Sequence, residues 1–243
     1  MKNLFLFLFL LVVFTSKAQD NRVSGLNSRQ FTKYWKVESE SPDYKVTFQG
    51  DTAEIVSPKG LTLWRKEKMS GKVTIEYDAC VVVESDGDRL SDLNCFWMAS
   101  DPQYPDNLWK REKWRSGIFL NCYSLQLYYL GYGGNHNSTT RFRRYDGDES
   151  GITNPKARPA ILKEYTDAGH LLKPNHWYHI KITNENNRVS YYIDGERLVD
   201  FRDAEPLREG WFGFRTTLSR TRITNFSYEC SSQEAAAVPL QWI

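Results

Sequence analysis

The sequence predicts an all-β protein, a two-sheet β-sandwich or jelly roll, and three observations predict it. Period-two alternation of apolar and polar residues recurs along the chain, whereas helical periodicity is nearly absent. Glycine-, proline- and asparagine-containing turns part these runs at short intervals. About a dozen short strands result, with no convincing helix between them, and such a set packs as two facing antiparallel sheets.

The elements justify this in order. Met1-Lys2-Asn3 is a short basic start, residues 4–14 are an unbroken apolar run, and small residues stand three and one before a cut after Ala18. That order predicts a secretory signal peptide over residues 1–18, too short in its apolar part to span a bilayer. Strands are expected over 44–49, 52–57 and 61–66, parted by Gly50-Asp51 and Pro58-Lys59-Gly60. Residues 72–83 alternate so that Val73, Ile75, Tyr77, Ala79, Val81 and Val83 share one face, with Thr74, Glu76, Asp78 and Cys80 on the other. Further strands are expected over 93–99, 117–121, 124–130, 139–145, 176–183, 188–193, 197–201, 210–215 and 222–229. Asp194-Gly195 is a hairpin signal, because both residues tolerate positive φ in a tight turn. The alternation ends at 231, so residues 19–231 are expected to form one domain and 232–243 a tail.

Charge narrows the function. The chain of 243 residues carries 32 Lys+Arg and 30 Asp+Glu, a net +2. Without residues 1–18 it loses Lys2 and Lys17 and no acid, which leaves a balance of zero. A protein coating nucleic acid or an anionic membrane needs a basic surplus, so neither partner is expected. No later stretch is long enough for a transmembrane helix. The four later cysteines (Cys80, Cys95, Cys122 and Cys230) form no C-x-x-C and no zinc spacing. Cys80 and Cys122 lie in apolar runs and read as buried small hydrophobes.

The densest candidate for chemistry is residues 128–145 (YYLGYGGNHNSTTRFRRY). A strand runs into a Gly-rich turn through Asn135-His136-Asn137 and re-emerges with Arg141, Arg143 and Tyr145 on one face. Guanidinium forks on a sheet face match a carboxylate, sulfate or phosphate with paired hydrogen bonds, although charged outward strands are also ordinary in antiparallel sheets. Trp97, Trp109, Trp114, Tyr128, Tyr132 and Trp177 are candidates for stacking under sugar rings. Residues 176–183 turn Trp177 and His179 away from Ile180 and Ile182. Among the histidines, His136 is the candidate, since it adjoins the arginine face. Asp86, Asp88 and Asp92 with Asn94 could hold a structural calcium, although their spacing is not that of an EF-hand; no cofactor is expected. Glu76 and Asp78 resemble part of the E-x-D-x-E strand of laminarinase-type hydrolases, but Cys80 stands where the last Glu belongs, which removes that assignment.

Four strings carry a wider resemblance: residues 88–100 (DRLSDLNCFWMAS), 131–145 (GYGGNHNSTTRFRRY), 175–182 (NHWYHIKI) and 210–216 (GWFGFRT). They resemble a family of secreted Bacteroidetes domains of unknown function, similar to YesU-type proteins of polysaccharide-utilisation systems. The resemblance implies a concanavalin A-like jelly roll acting on polysaccharide, with no settled activity. On these grounds the expected ligand is an acidic, uronate-containing glycan. For a lyase, Arg141 and Arg143 would neutralise the uronate carboxylate, His136 and Tyr145 would move protons, and Asn135, Asn137, Tyr128, Trp97, Tyr132, Trp177 and His179 would bind substrate. The alternatives are a glycoside hydrolase, including the keto-sugar kind, and a noncatalytic carbohydrate-binding protein.

Overall fold

The computed structural model describes residues 22–231; the expected signal peptide and the tail 232–243 lie outside the described residues. Sixteen strands occur among them: β1 (Val23–Ser24), β2 (Trp35–Ser39), β3 (Lys45–Gln49), β4 (Thr52–Ser57), β5 (Leu61–Arg65), β6 (Met69–Ser70), β7 (Lys72–Val81), β8 (Leu93–Ser100), β9 (Gln126–Gly133), β10 (Thr139–Asp146), β11 (Lys163–Tyr165), β12 (Tyr178–Glu185), β13 (Arg188–Ile193), β14 (Glu196–Arg202), β15 (Glu209–Thr216) and β16 (Ser219–Ser231). They form two antiparallel sheets. The first runs β14-β13-β12-β7-β16-β4-β3 with β1 beside β16, and the second runs β11-β10-β9-β8-β15-β5-β2 with β6 beside β15. The predicted sandwich is the observed one.

Alternation decides which side chains meet between the sheets. On β7, Val73, Ile75, Tyr77, Ala79 and Val81 enter the core; on the facing sheet, Cys95 and Trp97 of β8, Tyr128 and Leu130 of β9, Phe142 of β10 and Phe212 and Phe214 of β15 do the same. The larger aliphatic and aromatic side chains of this set each contribute roughly 1.5–3 kcal/mol by leaving water, and a one-residue slip would turn the whole set outward.

Where local sequence misled, tertiary packing explains it. Residues 117–121 are not a strand: Ser116 and Gly117 are both left-handed (φ 47° and 70°), and a 3-10 helix spans Leu120–Ser124. This segment follows helical turns at Leu108–Arg111 and Glu112–Arg115. Together they lie on the outer face of the second sheet, where Leu108, Cys122, Tyr123 and Leu125 pack on Trp64, Phe96, Leu127, Tyr145 and Trp211. Sequence reading also gave no helix at Ser28–Tyr34, which Asn27 caps by accepting from the Gln30 N–H at 3.2 Å. Nor did it give β2, whose Glu38 is buried against Arg115. All four cysteines are free, Cys80, Cys95 and Cys122 fully buried.

Candidate functional site

The second sheet turns two rows of side chains away from the core. One row crosses the strands as Arg141, Gly131, Asn94, Arg215 and Thr62, each paired with the next in register. The adjacent row is Arg143, Tyr129, Phe96, Gly213 and Trp64. The helical segment covers Phe96 and Trp64. The polar part remains open as a cleft of about 360 Å³, with Arg89, Asp92, Asn94, Tyr129, Arg141, Arg143 and Arg215 among its lining and Phe119 and Tyr123 as an aromatic wall. That volume is at the small end of ordinary ligand sites, roughly 300–1,000 Å³.

Asp92 sits at the entry to β8 in the left-handed region (φ 65°), its N–H donating to the Gly133 carbonyl at 3.3 Å. Its side chain is almost fully buried (6% exposed). Asn94 Nδ2 donates to Asp92 Oδ1 at 3.4 Å, and Arg89 Nη2 stands 3.3 Å from Oδ2, but Oδ2 accepts no aligned hydrogen bond. Burial pushes the Asp92 carboxyl above the ordinary aspartate range, against the opposing charges of Arg89 and Arg215. Burial likewise raises the Tyr129 phenol; the charge of Asp92 adds to this while Arg215 and Arg143 oppose it. These groups therefore act on one another across one small space.

The arginines are held from outside the cleft. Arg141 Nε donates to Glu164 at 2.5 Å, Arg143 donates to the Pro159 carbonyl, and Arg215 Nη1 donates to the Gly117 carbonyl at 2.5 Å. Four guanidinium groups thus face two lining carboxylates, Asp92 and Glu40. Such a surplus of fixed, planar donors suits an anion.

The structure brings Arg141, Arg143 and Asn135 to this cleft and separates the other expected site residues from it. Tyr145 lies on the predicted face but is fully buried (0% exposed), held between Tyr123 and Tyr129 with centroids 5.2 and 5.8 Å away. The acid/base role expected of it is corrected, because the helical segment covers it. Trp97, Tyr128 and Tyr132 are corrected too: they occupy the inner face and belong to the core, while their neighbours Phe96 and Tyr129 point outward. His136 is exposed within three successive left-handed residues and is not part of the cleft lining. Asn137 is a structural clamp, accepting from Leu172 N–H at 2.8 Å and donating to its carbonyl at 2.9 Å. His179 is on β12 and Trp177 just before it, in the other sheet; His179 Nδ1 is 2.7 Å from Asp78, and Trp177 is exposed.

Of the other candidates, Trp109 packs edge-on to Trp211 and Trp114 is stacked by Arg111 at 4.3 Å. Glu76 pairs with Arg22 and Lys181 on the first sheet. The acids weighed for calcium do not converge: Asp88 accepts from the Glu84 and Ser85 N–H groups, and no group of three His, Cys, Asp or Glu that could hold a metal occurs among the described residues. Sequence reading missed Arg89, Tyr129 and Arg215, and weighed Asp92 and Asn94 only as possible calcium ligands. The available signal was the alternation itself, which places Asn94 and Arg215 opposite the core-facing Cys95 and Phe214.

This chain is similar in fold to several solved structures. A Bacillus subtilis protein of unknown function with a galectin-like fold matches with TM-score 0.68 at 15% identity, over 87% of this chain and 96% of that one. The carbohydrate-binding module CBM66 from Bacillus subtilis matches with TM-score 0.53 at 16% identity, over 80% and 94%. The exoplasmic/lumenal domain of VIP36, in its Ca2+/Man3GlcNAc-bound form, matches with TM-score 0.55 at 8% identity, over 89% and 91%. No curated protein sequence matches significantly. The family model described as a domain of unknown function, DUF6250, matches residues 55–226, and the chain belongs to that family.

Proposed function

We propose that this DUF6250 member is a secreted carbohydrate-active protein whose outer-sheet cleft holds an acidic sugar unit of a glycan. The observation that carries this reading is the convergence of Arg89, Arg141, Arg143 and Arg215 around a polar floor of Asp92, Asn94 and Tyr129. Clamped guanidiniums offer paired donors to a uronate carboxylate, the polar floor offers partners for ring hydroxyls, and Phe119 and Tyr123 offer apolar contact to a sugar face. Sandwich relatives such as the CBM66 module and the VIP36 domain bear names or ligands of the same chemical class. That supports a carbohydrate ligand in general; the preference for an acidic one rests on the arginines.

A second reading, β-elimination, is favoured by one observation: a carboxyl with a raised pKa lies among the arginines. Neutralising the uronate carboxylate acidifies the C5 proton; Asp92 would take it as the C4–O bond breaks, the C4=C5 double bond forms, and Tyr129 returns a proton to the leaving oxygen. Incubation with pectic, algal and glycosaminoglycan polymers separates the readings. Ultraviolet absorbance from unsaturated uronate supports elimination, and retention on those polymers without products supports binding alone. Neither result with any uronate polymer, or equal retention on neutral glycans, sinks the acidic-ligand reading.

A further inference from the structure

We infer that Asp92 and Asn94 form a hydroxyl-reading pair, so that the ligand is a sugar acid presenting two free hydroxyls on neighbouring ring carbons opposite its carboxylate. The inference rests on the acidic-glycan reading of the cleft and adds a stereochemical requirement to it.

The two side chains are over nine-tenths buried (6% and 7% exposed) and both line the cleft. Each keeps a buried acceptor oxygen without a hydrogen-bond partner, Oδ2 of Asp92 and Oδ1 of Asn94. The Asn94 amide is oriented by chemistry: its NH2 faces Asp92 Oδ1 at 3.4 Å, because an ionised carboxylate can only accept. Turning the amide over would set two acceptors against each other. Asn94 therefore keeps its carbonyl oxygen as the free acceptor, next to a carboxylate whose Oδ2 is also unpartnered, in a residue pair that lines the cleft.

Buried acceptors left unsatisfied are costly; Arg89 Nη2 stands 3.3 Å from Asp92 Oδ2 as an ion pair that makes no hydrogen bond to it, and the other nearby cations are committed elsewhere. Arg141 is held by Glu164, Arg143 by the Pro159 carbonyl and Arg215 by the Gly117 carbonyl. Two adjacent acceptors ask for two adjacent donors. A carboxylate group or a sulfate ion supplies none, so the arginines and this pair must address different parts of one ligand. A pyranose with a carboxylate at one side and a vicinal diol at the other meets both demands. A sulfate ion alone meets only the first.

The test is calorimetric titration of the full chain with trigalacturonate and a glucuronate-containing trisaccharide. Each is paired with a carboxyl-reduced counterpart and with one whose ring hydroxyls are methylated while the carboxylates are kept. Expected are loss of binding on carboxyl reduction and a loss of roughly tenfold or more on methylation, since a hydrogen bond to a charged group is worth about that much. Asn94→Ala and Asp92→Asn should each narrow the gap between free and methylated ligands, with unchanged circular dichroism as the folding check. Methylated ligands that bind as well as the free ones, while carboxyl-reduced ligands do not, would overturn the hydroxyl-reading role and leave the acidic-ligand reading standing. Failure of every carboxylate ligand would overturn both. Asp92→Asn that keeps affinity and the methylation penalty but loses turnover would make Asp92 a proton-transfer group and overturn the pair.

Discussion

The Tyr129 ring lies across Gly131: a Cβ on Gly131 would stand 2.3 Å from the phenol oxygen and 2.8 Å from the carbon that bears it. Glycine is present here for close approach, since a methyl group would fill the space over which the phenol reaches the arginine row. Gly131→Ala must push the ring toward the cleft. The expected stability cost is about 1–3 kcal/mol, the usual range for overpacking, and the expected loss of glycan affinity is larger than that of stability. Urea unfolding beside ligand titration checks this; a variant with lowered stability but unchanged affinity would remove Tyr129 from the site.

Arg115 and Glu38 form a bidentate, fully enclosed ion pair, with Nη2–Oε2 at 2.9 Å and Nε–Oε1 at 3.3 Å. Arg115 Nη2 also donates to the Leu108 carbonyl at 2.6 Å. The pair fastens the helical segment to β2 and so shapes one wall of the cleft. Arg115→Ala leaves Glu38 buried without its partner, and about 3–5 kcal/mol of stability should be lost. Replacing both residues by apolar ones of similar volume should recover much of it. Equilibrium urea denaturation of the single and double variants measures both outcomes.

These two sites show what was legible beforehand. The sandwich could be read because alternation over β7, β9, β10 and β12 is a local property, and each strand announces its own core face. Arg141 and Arg143 could be read for the same reason. What covers the outer face could not: Tyr145 shares their side of β10 and differs only in lying beneath Tyr123, contributed by a distant segment. Trp97 and Tyr128 attracted attention as aromatics, yet large rings are what a sandwich interior needs. Asp92 gave no signal apart from its acidic surroundings, since its burial is created by residues around 133 and 215.

Asp203 carries a pH dependence. Burial raises its carboxyl, but hydrogen bonds from Tyr128, the Glu205 N–H and Arg144 outweigh this and hold it below the ordinary aspartate range. Tyr128 Oη and Arg144 Nε both reach Oδ2 at 2.7 Å. A carboxyl depressed by folding contributes stability that is complete above its unfolded pKa and lost as pH falls through the folded one. Asp203→Asn should therefore cost roughly 1–3 kcal/mol near neutrality, with wild type and variant converging in acid. Denaturation midpoints across that range test the sign; a gap that widens on acidification would reverse it.

Tyr145 and His136 provide the sharpest check on the site's boundary, because both adjoin it in sequence and neither lines it. The Tyr145 hydroxyl is buried without a hydrogen-bond partner, burial puts its phenol well above the ordinary tyrosine range, and it lies outside the cleft lining. Tyr145→Phe deletes an unsatisfied polar atom and keeps the ring between Tyr123 and Tyr129. Stability should stay level or rise by about 1 kcal/mol, and glycan affinity should not change. His136→Ala removes an exposed side chain from the turn after β9 and should likewise leave affinity unchanged. Arg143→Ala, two residues from Tyr145 on the same face, should weaken uronate binding at least roughly tenfold, as loss of a charge-assisted contact does. Thermal melts and titrations of the three variants under one condition decide it. If Tyr145→Phe or His136→Ala weakens binding as much as Arg143→Ala, the cleft is not the site.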